Sequence, residues 1–212
     1  MRDIPLFTTD AGVAALTLSE IPYKQEAYIK LLDSHDPTIL IKDCVQFCCA
    51  AGAEHIFASG DACLEEYPQH TVLYKMCRGL EGICDTNAAL FPLQEKTLEL
   101  WKSIYNKRMR HVPNAATMTD SKAREILQNG TGYFVHRDGN LLGIGVASEE
   151  TVDAVISVVP GQGEQVLRAL CSVLPGEYVS VEVASTNIPA MKLYNRLGFI
   201  VTEELSRWYI LR

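Results

Sequence analysis

No stretch of this chain approaches the ~18 consecutive apolar residues that a membrane-spanning helix requires, so no membrane partner is expected. Basic excess is missing too. Lys and Arg number 19 against 26 Asp and Glu, and the resulting net charge of -7 argues against a nucleic-acid partner, whose surface needs cations. The seven cysteines are odd in number and contain no CxxC pair, which removes both a disulfide framework and the commonest zinc spacing. Cys44, Cys48 and Cys49 cluster in an apolar helical stretch and read as small buried hydrophobes, so no metal is expected. Met1-Arg2-Asp3-Ile4-Pro5 has neither the basic start nor the apolar core of a secretory leader. With the free thiols, that predicts a cytoplasmic protein. Low-complexity tracts are also missing.

What is present is an ordinary globular composition, 48% hydrophobic and 21% charged over 212 residues. That length holds one large domain or two small ones. The acidic field serves solubility and also attracts cations such as amines.

The most specific pattern lies near the end. After the apolar run Tyr178–Ala184 comes Asn187-Ile188-Pro189-Ala190-Met191-Lys192-Leu193-Tyr194-Asn195-Arg196-Leu197-Gly198-Phe199. Asn187 is a helix cap, and Pro189 is tolerated in the first turn. Ala190, Leu193, Tyr194 and Leu197 share one face at i, i+3, i+4 and i+7. Gly198 stops the helix. A phenol, Tyr194, thus falls among inward-facing residues.

The elements before this segment are readable from about Leu90. Thr97–Arg110 is a helix with Trp101 inward, and Asp120 or Ser121 caps a second. Gly132–His136, Leu141–Ala147 and Thr151–Val159 form an antiparallel meander around the turn Arg137–Asn140. A helix over Gln162–Val173, the strand Tyr178–Ala184, the Asn187 helix, and paired strands around Ile200–Thr202 and Trp208–Leu211 complete the order.

This order and the residues Asn187, Ala190, Leu193, Tyr194, Gly198 and Phe199 resemble the GNAT superfamily of N-acyltransferases. The resemblance covers roughly residues 90–212. It implies an α/β (α+β) fold with a mixed, largely antiparallel sheet flanked by helices, and an acetyl-CoA co-substrate between the strands Thr151–Val159 and Tyr178–Ala184. It also implies that Tyr194 is the general acid protonating the coenzyme A thiolate. A backbone N–H near Val158 or Val159 is the oxyanion donor. Pyrophosphate falls to the loop and first turn Gly161, Gln162, Gly163, Glu164, Gln165 and Val166, where unpaired amides and the helix dipole favour anions. Asn187 and Tyr194 border the cofactor. The loop departs from the family: Val158 stands where Gln or Arg is usual, and Glu164 in the first turn is expected to repel phosphate. Glu182 on the second strand is the candidate base, with Asp153 and His136 as others; alternation puts Ser180, Glu182 and Ala184 on one face.

Residues 1–89 carry a fainter echo. Ile39–Ala51 reads as a helix, Glu54–Ser59 as a strand, Ala62–Tyr67 as a short helix and Thr71–Met76 as a strand. They form either a degenerate GNAT-like half, making the chain a tandem, or an unrelated α/β extension. Arg78–Phe91, punctuated by Gly79, Gly82 and Pro92, is the expected linker before a domain at 90–212. The acceptor is a small amine or a peptide amine, the assembly a monomer or homodimer. A non-catalytic acyl-CoA- or partner-binding module is the rival reading.

Overall fold

The computed structural model describes residues 5–212, so Met1–Ile4, on which most of the leader reading rests, lie outside the described residues. The chain forms two compact units, Met1–Leu73 with Glu204–Arg212 and Tyr74–Glu203.

The first unit runs β1 (Leu6–Thr9), β2 (Gly12–Thr17), α1 (Ile21–Lys24), β3 (Glu26–Ser34), α2 (Pro37–Ala50) and β4 (His55–Ser59). A 3₁₀ turn at Ala62–Glu66 leads into β5 (Gln69–Gly79), within which the chain enters the second unit. There follow β6 (Ala89–Pro92), α3 (Leu98–Met109), α4 (Asp120–Asn129), β7 (Gly132–Arg137), β8 (Asn140–Ser148) and β9 (Thr151–Ser157). Then come α5 (Gly163–Cys171), β10 (Tyr178–Ala184), α6 (Ile188–Arg196) and β11 (Ile200–Ile210), whose end returns to the first unit.

In the first unit the strand order is β1-β2-β3-β4-β11. Strands β1, β2 and β3 are antiparallel, and β4 is parallel to β3. Leu16, Ile29, Ile56 and the α2 residues Leu40, Cys44 and Cys48 make its core. Burial pushes the Cys44 thiol up to about 12 and that of Cys48 to about 11, as expected of cysteines that act as hydrophobes.

In the second unit the order is β11-β5-β10-β9-β8-β7-β6. One face of the sheet packs on α5 and α6 through Val166, Leu167, Leu170, Val179, Val181 and Tyr194. The other packs on α3 and α4 through Leu98, Trp101, Ala123, Ile144 and Ile156. A side chain at Gly145 of β8 would collide with Leu170, so only glycine lets α5 approach this closely.

Several expectations change. The segment Arg78–Phe91 is not a linker. Leu80 and Ile83 are buried in the α5 core, Arg168 donates to the carbonyls of Gly82 (3.0 Å) and Ile83 (3.3 Å), and Ala89–Pro92 pairs with β7. Compactness therefore divides the chain at Leu73/Tyr74 and Glu203/Glu204, not at 89/90. The paired strands expected at Ile200–Thr202 and Trp208–Leu211 are one strand, since Glu203-Glu204-Leu205-Ser206-Arg207 contains no glycine, proline, asparagine or aspartate. Thr119, not Asp120 or Ser121, caps α4 by accepting from the Lys122 N–H at 3.4 Å. The strands β1, β2 and β3 between Leu6 and Ser34 are additions to the expected order.

Candidate active site

The parallel strands β9 and β10 meet at a single register pair, Thr151↔Ser180, reinforced by the Ser180 N–H donating to the Glu150 carbonyl at 2.8 Å. Beyond it they part. The cause is in β9: Val146 faces Ala154 and Ala147 faces Val152, so β9 carries one extra residue around Asp153. Such a bulge bends and twists its strand. The backbone edge of β9 that faces β10 is thereby left without a ladder partner.

The Val158 N–H donates to the Leu142 carbonyl at 2.9 Å, on the side of β8. It is not available to an oxyanion, which corrects the expectation for that residue. Alternation turns the N–H groups of Ser157 and Val159 the other way, towards the gap. Arg108 at the end of α3 donates to the Val158 carbonyl at 2.6 Å. The sequence alone offered no signal for that contact.

The loop after β9 is a tight turn. Gln162 N–H donates to the Val159 carbonyl at 3.2 Å, and Pro160 and Gly161 (φ 79°) occupy its central positions, as a type II turn demands. Gly163 then begins α5, and Gln162 provides no side-chain cap. The Val166 N–H bonds the Gln162 carbonyl at 3.1 Å, so Val166 is not an anion donor as expected; Gly161, Gly163, Glu164 and Gln165 remain.

Glu164 stands differently from its expected role. Arg168 Nε lies 3.0 Å from one carboxylate oxygen and Arg196 Nη2 3.2 Å from the other. Arg168, then Arg196, hold its carboxyl below the ordinary glutamate range. Two cations and one anion leave the start of α5 positive, so Glu164 does not act as a bare repulsive charge.

Asn187 caps α6, its Oδ1 accepting from Ala190 N–H at 3.3 Å. The helix ends with Phe199 N–H bonded to the Tyr194 carbonyl at 3.0 Å. Tyr194 is 6% exposed on the inner face, its ring 5.5 Å from that of Phe199. Burial, then the neighbouring Cys171 thiol, raises its pKa, so the phenol keeps its proton.

Glu182 is exposed two residues beyond Ser180, on the face opposite the buried Val179, Val181 and Val183. Asp153, hydrogen-bonded to Thr151, lies towards the same face; although it is reached by solvent, partial burial raises its carboxyl above the ordinary value. Two carboxylates thus lie on one face of the sheet at the splay, whereas Tyr194 is packed in the core on the other face. His136, the remaining candidate, is on β7 with its ring 5.1 Å from Phe91, three strands from β10 in the sheet order. A groove of about 600 Å³ lined by Arg78, Tyr178, Gly198 and Ile200 lies at the opposite end of β10 and is a separate feature.

No family model and no curated protein matches the sequence. Solved structures do match in fold. A functionally unknown conserved protein from Staphylococcus epidermidis ATCC 12228 is 13% identical, with a TM-score of 0.60 over 98% of this chain and 93% of that one. A GCN5-related N-acetyltransferase from Anabaena variabilis ATCC 29413 gives 11% identity and a TM-score of 0.60 over 94% of this chain and 59% of that one. A GNAT-family acetyltransferase from Colwellia psychrerythraea gives 12% and 0.54, over 98% and 84%. At these identities the likeness is one of fold, and the fold is that of GNAT acetyltransferases: mixed α+β, a mostly antiparallel sheet flanked by helices.

Proposed function

We propose that the chain is an acyl-CoA-dependent N-acyltransferase that moves an acetyl group from acetyl-CoA to a primary amine by direct attack. The splay of β9 from β10, beginning at Asp153 and ending beside the first turn of α5, carries the reading. The amides of Gly161, Gly163, Glu164 and Gln165, flanked by Arg196 and Arg168, are arranged to hold pyrophosphate. The free edge of β9 would pair with the amides of the pantetheine arm. The N–H of Ser157 or Val159 would face the oxyanion.

An attacking amine must be neutral. Asp153, whose affinity for protons is raised by partial burial, would accept the proton the amine gives up. Glu182 would draw the cationic amine to the site. As the tetrahedral intermediate collapses, the C–S bond breaks and the phenol of Tyr194 gives its proton to the departing thiolate. Burial raises the phenol's own pKa, but the same desolvation makes the thiolate more basic, which offsets the mismatch. The acceptor is a small or peptide amine in a cytoplasmic setting.

The tight Val159–Gln162 turn favours one second reading, a non-catalytic acyl-CoA-binding or partner-binding module, because it leaves no cation at Val158. Calorimetry with acetyl-CoA, followed by a thiol-release screen over amines, separates the two. Binding with release supports the transferase, and binding without release on any acceptor supports the module. No binding even at millimolar acetyl-CoA overturns both acyl-CoA readings.

A further inference from the structure

At the end of β10 away from the splay, an apolar groove has a cation in its floor. The groove measures about 600 Å³, a size that holds a small molecule. Its sides are Tyr178 at the start of β10 and Ile200 at the start of β11. They are 61% and 66% exposed, although their chain neighbours Val179 and Phe199 are buried in the core on α5. Gly79 and Gly198 also line the groove and leave it unfilled. A side chain at Gly198 would stand 3.9 Å from Arg78 Nη1, so the guanidinium borders the open space.

Arg78 is fixed there. Its Nε donates to the Gly79 carbonyl and its Nη2 to the Glu81 carbonyl, both at 2.7 Å. Its Nη1 donates to the Leu197 carbonyl at the end of α6. Each Nη carries a second N–H, and neither has a partner among the described residues. Carbonyls hold the plane of the group but leave its charge whole. Among the described residues no carboxylate stands within ion-pair distance of it. Glu81, the other charged residue lining the groove, is exposed and gives Arg78 only its backbone carbonyl.

We propose that this groove binds a monocarboxylate with an apolar body, the carboxylate on the free N–H groups of Arg78 and the body against Tyr178 and Ile200. A guanidinium held flat matches the two oxygens of a carboxylate. Glu81 at the rim disfavours a doubly charged phosphate head. The site lies away from the β9–β10 splay and does not depend on the acyltransferase reading.

Calorimetry on the full chain compares octanoate with octanamide, which keeps the body and loses the charge. Octanoate is expected to bind at least about tenfold more tightly, as a hydrogen bond to a charged group implies. Arg78→Met should erase that preference. Because this change also frees the carbonyls that Arg78 holds, a second variant is made on an exposed side chain. Ile200→Glu should weaken octanoate at least about tenfold while its thermal melt matches the parent's, and it decides alone if Arg78→Met melts well below the parent. Octanoate lodged in the splay would be indifferent to Ile200→Glu. No binding at millimolar octanoate, equal affinity for octanamide, or an Ile200→Glu protein that binds like the parent overturns the proposal.

Discussion

The two units repeat one order, antiparallel strands, helix, parallel strand, helical turn, strand, yet only one of them opens. In the first unit β3 and β4 are zipped by five register pairs, Glu26↔His55 through Lys30↔Ser59. In the second, β9 and β10 have one, because the extra residue at Asp153 turns β9 away. The helix starts differ as well. The Asp36 carboxylate caps α2 by accepting from Ile39 N–H at 3.1 Å, filling the place an anion would take. Gln162 leaves the corresponding place on α5 open. Where the second unit has α6 with Tyr194, the first has a 3₁₀ turn that ends before Tyr67. The same order of elements thus accommodates an open strand pair in one unit and a closed one in the other, and a few residues make the difference.

The largest expected effect tests whether the second unit's phenol does chemistry. Tyr194→Phe keeps the ring and its packing on Phe199 but removes the proton. Turnover should fall about 10²- to 10⁴-fold with acetyl-CoA affinity little changed. Parent-rate transfer on the true acceptor would reduce Tyr194 to a core residue.

Next in size is the integrity of the second unit. Ile83 is fully buried, and Ile83→Ala should cost about 2–5 kcal/mol, read as a shift in denaturant midpoint. For the same reason a fragment starting at Leu90, which loses Met76, Leu80 and Ile83, should be insoluble or unfolded. A soluble, active fragment would return Arg78–Phe91 to the status of a linker.

Making the second unit resemble the first should close it. Deleting Asp153 removes the bulge and lets β9 continue its register with β10. Acetyl-CoA binding should weaken by at least about tenfold while far-ultraviolet circular dichroism stays native, and a folded deletion that binds like the parent would refute the link between bulge and site. Importing the other unit's cap is gentler. Gln162→Asp should steady α5 by up to about 1 kcal/mol yet weaken acetyl-CoA about tenfold through like-charge repulsion.

The smallest effect concerns pH. The folded-state pKa of Glu164 is depressed by Arg168 and Arg196, so its stabilisation is complete above the unfolded value of about 4.3 and fades as pH falls through the folded value. Glu164→Gln should flatten that part of the stability–pH curve below about pH 4 and leave the neutral limb nearly parallel. An identical acid limb in the variant would mean the pairs contribute nothing.

Local chemistry accounts for what was legible. The Asn187 cap, the stop at Gly198, and the shared face of Ala190, Leu193, Tyr194 and Leu197 are set by residues within one or two helical turns. They emerged as expected, and with them the GNAT fold. The burial of Leu80 and Ile83 was hidden because Gly79 and Gly82 read as punctuation while α5, the surface they cover, is some 80 residues away. Glu164 looked repulsive although Arg168, one of its two partners, stands only four residues on; the other, Arg196, lies on another helix and was hidden. The bulge at Asp153 was invisible because it is a mismatch between two strands, not a property of either.

By itself the sequence determined the elements of the second unit and the phenol's place on the inner face of α6, since caps, stops and periodicity act through neighbours along the chain. Only the tertiary structure decided that β9 parts from β10 and that Val158 and Val166 have committed N–H groups. It alone also decided that Arg196 reaches Glu164 from another helix. Each of these depends on which backbone or charge arrives from a distant segment, and pairing across such distances is settled by packing, not by local propensity.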